Sequence, residues 1–338
     1  MPVADTAGSC ASIWPMNEQQ VVDAPSAIDS LVTEIERAIV GKRDVINLVL
    51  DAVLAGGHVL LDDVPGVAKT LLARSFATVS GLSFSRIQFT PDLMPGDIMG
   101  SSIWNRSTNE MVFQPGPINA NVVLADEINR APAKTQAALL EAMAEGQVTV
   151  DGVTRLLPTP FVVIATQNPV EYEGTYELPE AQLDRFMIRT SIGYPSATDE
   201  AELVNRRIGR SSVQPELDVT SSPEEIAALG SKINEIRVHP AVVDYVVRMV
   251  GATREFPGVE LGASPRGSLA MVAMARAAAM RQGRSAVLPD DVKRIATATL
   301  SHRLVLSPEL WVQGAKAAEI VAEIVNDTVA PAPDDLLD

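Results

Sequence analysis

The chain has 338 residues, 46% of them hydrophobic, and this length is enough for two domains with cores of their own. Its 27 Lys and Arg against 43 Asp and Glu give a formal charge of −16, and a strongly acidic chain is a poor general binder of nucleic acid or anionic membranes. The sequence contains neither a run of about 18 uncharged apolar residues nor a secretory signal pattern, so we expect no insertion into a membrane. The single cysteine, Cys10, excludes a disulfide framework and favours a cytoplasmic location.

The N-terminal part of the chain begins without hydrophobic periodicity and then becomes regular. We expect residues 1–24 to be a flexible leader. Residues 26–40 have apolar side chains at helical spacing, which predicts a helix capped by Ser26 and ended by Gly41.

Residues 25–195 alternate short apolar runs with helical segments, which predicts parallel strands covered on both faces by helices. The predicted strands are 59–61, 84–89, 121–125, 161–165 and 186–192, and the predicted helices between them include 71–79 and 134–144. Two irregular pieces, at about 96–117 and 147–157, are predicted hairpins, the second around the turn-prone pair Asp151-Gly152. The fold class is therefore α/β, with a parallel sheet core and helices on both faces.

Beyond Pro195 the pattern changes to helices only. We expect residues 196–330 to form a smaller all-α domain, followed by an acidic tail at 331–338. The predicted helices of this part are 198–210, 224–237, 240–254, 266–282 and 289–300.

The turn after the first predicted strand has the context of a phosphate-binding loop, because a helix-compatible run follows it at once. The candidate binding residues are Val64, Pro65, Gly66, Val67, Ala68, Lys69, Thr70 and Leu71. Lys69 would reach the outer phosphates, and the Thr70 hydroxyl would hold Mg²⁺. Two glycines of the pattern G-x-x-x-x-G-K-[ST] are replaced by Asp63 and Ala68, and we expect the Asp63 carboxylate to face away from the ligand. Taken alone, the segment also fits an ordinary strand-to-helix turn with a solvated lysine.

Polar side chains follow the next two buried strands of the chain. Asp126 and Glu127 end the strand predicted at 121–125, where α/β sheets bind their ligands. Asp126 would hold Mg²⁺, and Glu127 would activate a water against the terminal phosphate. Asn168, after the strand at 161–165, would bind that phosphate or the water, although Asn before Pro is also common in simple turns.

Three arginines are candidates for stabilising the charge of a phosphoryl group in transfer. Arg185 precedes the last predicted strand, Arg266 opens a helix of the second domain, and Arg130 follows the acidic pair. Each of them alone also fits the role of a surface ion-pair partner.

These motifs, in this order, resemble the AAA+ ATPases and, among them, the MoxR family, over roughly residues 25–310. The most specific stretches are 86–95, 124–132, 134–143, 165–169 and 177–186. The resemblance implies an AAA+ P-loop core followed by a small α-helical lid, and it implies ATP and Mg²⁺ as ligands.

The resemblance also implies a role for each matching position. Lys69 and Thr70 correspond to the Walker A motif, and Asp126 and Glu127 to Walker B. The remaining roles are the first sensor at Asn168, the arginine finger at Arg185, the second sensor at Arg266, and the segment beside the adenine at Val40 and Gly41. The two hairpins correspond to the helix-2 insert and the pre-sensor-1 insert.

The family further implies a homo-hexameric ring that remodels or matures client proteins or metalloenzyme complexes, with von Willebrand factor A domain proteins as partners. Two other functions are open at this point. One is a DNA-associated motor, which the charge of −16 disfavours. The other is a nucleotide-gated scaffold with little turnover, for which Asp63 is the only support.

Overall fold

The structure is a computed structural model that describes residues 19–64, 66–168, 176–209 and 215–332. Most of the predicted leader and of the predicted tail, and also Pro65, lie outside these ranges. In chain order, the described elements up to residue 195 are α1 (Gln19–Glu36), α2 (Arg43–Leu54), β1 (Val59–Asp62), α3 (Lys69–Val79), β2 (Phe84–Gln88), α4 (Pro95–Met99), β3 (Gly100–Asn105), β4 (Glu110–Pro115), β5 (Val122–Asp126), α5 (Ala133–Glu145), β6 (Gln147–Val150), β7 (Val153–Leu156), β8 (Val162–Gln167), α6 (Glu180–Leu183) and β9 (Ile188–Thr190).

The main sheet of the described residues has five strands in the order β2-β5-β8-β1-β9, and all of its pairings are parallel. β5 is buried along its whole length, as expected for a strand with helices on both faces. Asp126 pairs with Gln88, and Asp62 pairs with Gln167. Because the strands are parallel, the carboxyl ends of β1, β5 and β8 meet at one edge of the sheet.

Both hairpins expected from the sequence are present as antiparallel pairs, β3 with β4 and β6 with β7. Asp151 and Gly152 connect the second pair with φ values of 53° and 75°. Two positive φ angles in a two-residue loop match the right-handed twist of the strands they join. The guanidinium of Arg155 lies 3.8 Å from the ring centroid of Phe113, so the two hairpins contact one another.

The elements after residue 195 form a mainly helical unit, called the lid below. They are α7 (Ala197–Ile208), α8 (Pro223–Lys232), α9 (Pro240–Glu255), β10 (Val259–Leu261), α10 (Pro265–Arg281), α11 (Pro289–Leu300), β11 (Val305–Leu306), α12 (Pro308–Val312) and α13 (Ala317–Asp327). The prediction of helices only was wrong, because β10 and β11 form a small antiparallel pair. Strands of three and two residues are too short to produce a periodic pattern.

The first helix also differs from its prediction. Ser26 does not cap α1 but lies inside it, where its carbonyl oxygen accepts a hydrogen bond from Ser30 Oγ at 2.9 Å. A second helix, α2, follows Gly41 and was not anticipated. None of the helices formed by the described residues combines the length and the apolar character needed to cross a bilayer.

The hydrophobic core extends from the α/β part of the chain into the lid. One cluster of buried side chains joins α1, α2 and one face of the sheet to the lid helices, and its members include Ile28, Leu50, Tyr245, Met271 and Leu300. α10 packs directly against both α1 and α2. A second cluster fills the other face of the sheet under α4 and α5. The sheet edge that carries the polar residues is therefore fixed from both faces.

Candidate functional site

The phosphate-binding loop connects β1 to α3. Gly66 has a φ of 89°, and an added Cβ there would meet no described atom within 4 Å. Ala68 has a φ of 62°, a left-handed conformation that costs an alanine about 1–2 kcal/mol. Ala68 precedes the first residue of α3, and among the described residues no side chain caps this helix end. Backbone N–H groups at an uncapped helix N-terminus are suited to an anion.

Lys69 is the first residue of α3, and its side chain lies over the ends of the central strands. Its Nζ donates to the carbonyl oxygen of Asp63 at 2.6 Å and to that of Gln167 at 3.3 Å. These contacts hold the ammonium group at the sheet edge where β1 and β8 end.

Asp63 faces away from the loop interior, as expected. Its carboxylate accepts hydrogen bonds from the backbone N–H of Ile192 and from that of Gly193, the latter at 3.0 Å. The side chain is buried. Asp63 therefore satisfies backbone donors of the segment after β9 and places no charge beside Lys69.

The two carboxylates at the end of β5, Asp126 and Glu127, are held by different partners. Asp126 Oδ1 accepts from Thr166 Oγ1 at 2.7 Å, and its Oδ2 accepts from Arg86. Glu127 has a φ of 56°, and its Oε2 accepts from Gln88 Nε2 at 2.7 Å. Left-handed backbone in a residue other than glycine is costly and is typical of functional sites.

Arg130 is the second partner of the Glu127 carboxylate, at 2.9 Å. The ion-pair interpretation of Arg130 is therefore the one that the structure supports. Both donors bind Oε2 of Glu127, so its other oxygen, Oε1, is the one placed to accept a proton from water.

Most of the sequence-predicted residues of the loop and of the strand ends line one cavity of about 620 Å³, whereas Val64 and Val67 are not among its described lining residues. Its described lining residues are Gly66, Ala68, Lys69, Thr70, Leu71, Arg74, Arg86, Asp126, Glu127, Asn168 and Pro215. Three of these side chains are cationic and two are anionic. The cavity is thus locally positive in a chain of net charge −16, which favours a polyanionic ligand.

Arg185 and Arg266 line a different cavity, of about 370 Å³, together with Asp184, Leu269 and Arg303. Arg185 also donates to the carbonyl oxygen of Leu140 in α5 at 2.6 Å. The structure therefore brings the two arginines together with each other and not with Lys69.

Val40 and Gly41 are not among the described residues that line either cavity. Val40 is buried, and Gly41 has a φ of 71° and lies so close to the Asp199 carboxylate that a side chain would collide with it. Their expected place beside the adenine stays a prediction.

Arg86, Gln88 and Thr166 are site residues that sequence reasoning missed. Arg86 and Gln88 lie two apart on β2, next to the acidic strand, so both side chains reach the same side of the sheet. The spacing of these two polar side chains on a strand next to β5 is the signal that could have identified them as site residues. Thr166 lies on β8, two residues before Asn168. Its hydroxyl donates to Asp126 Oδ1 and accepts from the backbone N–H of Glu127.

The donor set of the 620 Å³ cavity fits Mg²⁺. The Thr70 hydroxyl and the Asp126 carboxylate line the same cavity, and Mg²⁺ in phosphate sites is held by one or two such protein oxygens, by phosphates and by water. Among the described residues there is no cluster of three His, Cys, Asp or Glu that could hold a metal alone. A cation at this site would therefore take most of its ligands from a bound phosphate compound and from water.

Comparison with known proteins identifies the family to which the fold and this cavity belong. The family described as "ATPase family associated with various cellular activities (AAA)" matches residues 58–188, and the AAA lid domain matches residues 251–324. Chaperone MoxR1 of Mycobacterium tuberculosis is 45% identical over 89% of this chain and 80% of its own length.

The chain belongs to the MoxR family of AAA+ ATPases. An uncharacterized protein of Bacillus subtilis, YeaC, is 48% identical over 91% of this chain and 96% of its own length. A crystal structure from Cytophaga hutchinsonii, assigned as an ATPase, is 37% identical, with a TM-score of 0.87 over 93% of this chain and 98% of that one. The α/β core with a helical lid is thus the fold of the MoxR family.

Proposed function

We propose that the protein is a Mg²⁺-dependent ATPase of the MoxR type, acting as a homo-hexameric ring in the cytoplasm. The observation that carries the proposal is the convergence of Lys69, Thr70, Asp126, Glu127 and Asn168 on one cavity. An ammonium, a hydroxyl, two carboxylates and an amide at the carboxyl edge of a parallel sheet form the set that phosphoryl transfer to water requires.

Each side chain has a distinct part in this reaction. Lys69 neutralises phosphate charge, and the uncapped N-terminus of α3 donates backbone N–H groups to the phosphates. Mg²⁺, held by Thr70 and Asp126, would neutralise the charge that develops on the phosphate oxygens. Glu127 orients a water and accepts its proton, and Asn168 hydrogen-bonds the water or the terminal phosphate.

We infer that Arg185 and Arg266 act at a contact between two copies of the chain. They lie together in a second cavity, apart from Lys69, so in a ring both would serve the nucleotide of a neighbouring subunit. For Arg185 this agrees with the role of arginine finger that the family resemblance implies, and it gives Arg266, the implied second sensor, a role at the neighbouring subunit as well.

The wider role of the protein follows from its family alone. We propose chaperone-like remodelling or maturation of client proteins or metalloenzyme complexes, together with partners that contain von Willebrand factor A domains. The relative described as Chaperone MoxR1 supports this role.

A steady-state ATPase assay with two variants tests the proposal. Lys69→Ala should lose nucleotide binding, because the positive partner of the phosphates is removed. Glu127→Gln should keep binding and lose turnover, because an amide cannot accept the proton. The matched controls are Lys134→Ala and Glu141→Gln, which change exposed side chains on α5 in the same way.

Each alternative function gives a different result in the same assay. A nucleotide-gated scaffold would bind ATP in the wild-type protein without measurable turnover at any protein concentration. A DNA-associated motor would show turnover that DNA stimulates. A ring ATPase should show turnover per subunit that rises with protein concentration until the ring is complete, with no effect of DNA.

A further inference from the structure

Arg86 makes the contact that a metal ion would be expected to make. It lies on β2, opposite Leu124 on the neighbouring strand β5. Its Nε and one terminal nitrogen both donate to Oδ2 of Asp126, at 3.1 and 2.6 Å. The other oxygen of Asp126 is already used by Thr166. A cation that binds Oδ2 must therefore displace Arg86, and the guanidinium also repels a cation at the other oxygen of Asp126.

The guanidinium has a second partner, on its own strand. The terminal nitrogen that contacts Asp126 donates to Gln88 Oε1 at 2.7 Å. Gln88 in turn donates to Glu127. Arg86 thus has a defined position between the two carboxylates of the site, which distinguishes it from a mobile surface arginine.

The ion pair is nevertheless open to exchange. The Arg86 side chain is 47% exposed and lines the 620 Å³ cavity, whereas the Asp126 side chain is 12% exposed. Ion pairs with one solvated partner are weak and are screened by salt. A divalent cation that arrives with a polyphosphate carries twice the charge of the guanidinium and competes for the same carboxylate.

We propose that Arg86 is a positioning residue that serves as the counter-cation of the Asp126 carboxylate and is displaced from it when Mg²⁺ binds with the nucleotide. The proposal rests on the proposed function, because it requires a nucleotide site at this cavity. In this proposal Arg86 competes with the metal ion for the Asp126 carboxylate, in addition to attracting phosphate.

These two effects of Arg86 have opposite signs, so they can be separated. Removing the positive charge frees Oδ2 and should lower the Mg²⁺ concentration that gives half-maximal nucleotide binding. The same change removes one of the three cationic side chains that line the cavity among the described residues, and it should weaken nucleotide binding in the absence of Mg²⁺. A residue that only contacts phosphate would weaken binding in both conditions and would not lower the Mg²⁺ requirement.

The experiment measures binding of a fluorescent ATP analogue that is not hydrolysed, with and without Mg²⁺, so it does not depend on turnover. Arg86→Gln should lower the half-saturating Mg²⁺ concentration about threefold, the factor expected from loss of an exposed ion pair. Arg86→Lys should stay close to wild type, because an ammonium still competes for Oδ2. Arg207→Gln, which removes an exposed arginine of α7, is the matched control and should have no effect.

Binding of Mn²⁺, followed by the loss of its free electron paramagnetic resonance signal in the presence of the same analogue, gives a second reading of metal affinity. Arg86→Met retains the apolar stem and supplies the same test if the Gln variant does not fold. A half-saturating Mg²⁺ concentration that is unchanged or higher in the charge-removing variants overturns the proposal. If wild-type protein binds no nucleotide in either condition, the proposed function itself has failed, so the two failures are distinct.

Discussion

Arg303 in the lid donates from Nε to the carboxylate of Asp184 at 2.9 Å, directly beside Arg185. The same guanidinium donates to the carbonyl oxygen of Phe186 at 2.7 Å. The second oxygen of Asp184 accepts from Ser264 Oγ at 3.0 Å, and Ser264 caps the helix that begins next to Arg266. Asp184 therefore connects the segment of Arg185 to the segment of Arg266, and we expect the two arginines to act as one unit.

This arrangement predicts complementation between inactive variants. Arg185→Ala should bind ATP almost normally and hydrolyse it poorly. A mixture with Glu127→Gln should regain turnover, because some interfaces then combine an intact base with an intact arginine from the neighbour. Arg266→Ala should behave in the same way as Arg185→Ala. Turnover across mixing ratios is the measurement, with subunit exchange verified on labelled protein.

The matched control for complementation is a mixture of Lys69→Ala with Glu127→Gln. Lys69 and Glu127 line the same cavity of one subunit, so every site in such a mixture lacks one of the two, and no active site is restored. If subunits exchange and no mixture of Arg185→Ala with Glu127→Gln exceeds the sum of its parents, Arg185 does not act on a neighbouring subunit.

Asp63→Asn should lower stability while leaving nucleotide affinity nearly unchanged. The amide can accept from only one of the two N–H groups of Ile192 and Gly193, and an unsatisfied buried donor costs about 1–3 kcal/mol. Urea unfolding measures the loss, and titration with a fluorescent ATP analogue measures affinity. A gain in affinity of about tenfold, or 1.4 kcal/mol, would show that the carboxylate acts on the phosphates after all.

His58 predicts acid-sensitive stability. Its ring is buried, and Val163 N–H donates to Nδ1 at 3.0 Å, so Nε2 carries the proton and donates to the Met143 carbonyl at 3.1 Å. Burial lowers the pKa of His58 to about 4, against the opposing effect of the bond to Met143. Because the folded pKa lies below the unfolded value of about 6.5, the unfolded chain binds the proton first as pH falls. This part of the stability is present above about pH 6.5 and is lost progressively down to about pH 4.

His58→Gln keeps a donor and an acceptor and removes the titration. Between about pH 7.5 and about pH 5 it should lose less unfolding free energy than wild type, by on the order of 2 kcal/mol. His302, whose pKa is lowered to about 3 chiefly by burial and further by Arg303, acts in the same direction and is retained in both proteins. Urea unfolding at the two pH values gives the comparison, and equal losses in both proteins would contradict the assignment.

The buried ion pair between Asp51 of α2 and Arg281 of α10 should be costly to break from one side. Two hydrogen bonds join the groups, at 2.9 and 2.8 Å, and burial raises the pKa of Asp51 against the effect of Arg281. Asp51→Ala leaves the guanidinium without its partner and should cost about 3–5 kcal/mol. The double variant Asp51→Leu with Arg281→Met should recover most of this loss in thermal or urea unfolding. A double variant as unstable as the single one would argue against the pair as the cause.

Local patterns in the sequence were sufficient for much of the fold. The buried strands β1, β5 and β8 were expected from short apolar runs, and the second hairpin lies at its predicted place because Asp151-Gly152 fixes the turn. The acids after β5 were found because a strand end is a local feature. The order of strands in the sheet, in contrast, depends on pairing between distant segments, and no local pattern specifies it.

The same limit applies to the site. The partners of Asp63 lie 129 and 130 residues further along the chain, so their identity could not be derived from the loop itself. The contact of Arg86 with Asp126 spans 40 residues and depends on β2 lying beside β5. The separation of Arg266 from Lys69 depends on how the lid packs, which the helical pattern of α10 does not encode.

The hydrophobic cluster that continues from α1 and α2 into the lid limits how the protein can move. Exposing even a few of its buried side chains, such as Ile28, Leu50 and Met271, would cost about 1.5–3 kcal/mol each. Coupling free energies between ligand sites are typically about 1–3 kcal/mol. Opening a hinge along this cluster would therefore cost more than a coupling free energy of that size. We expect the core and the lid of each subunit to move together as one rigid body. The conformational change in a nucleotide cycle would then take place at the contacts between neighbouring copies.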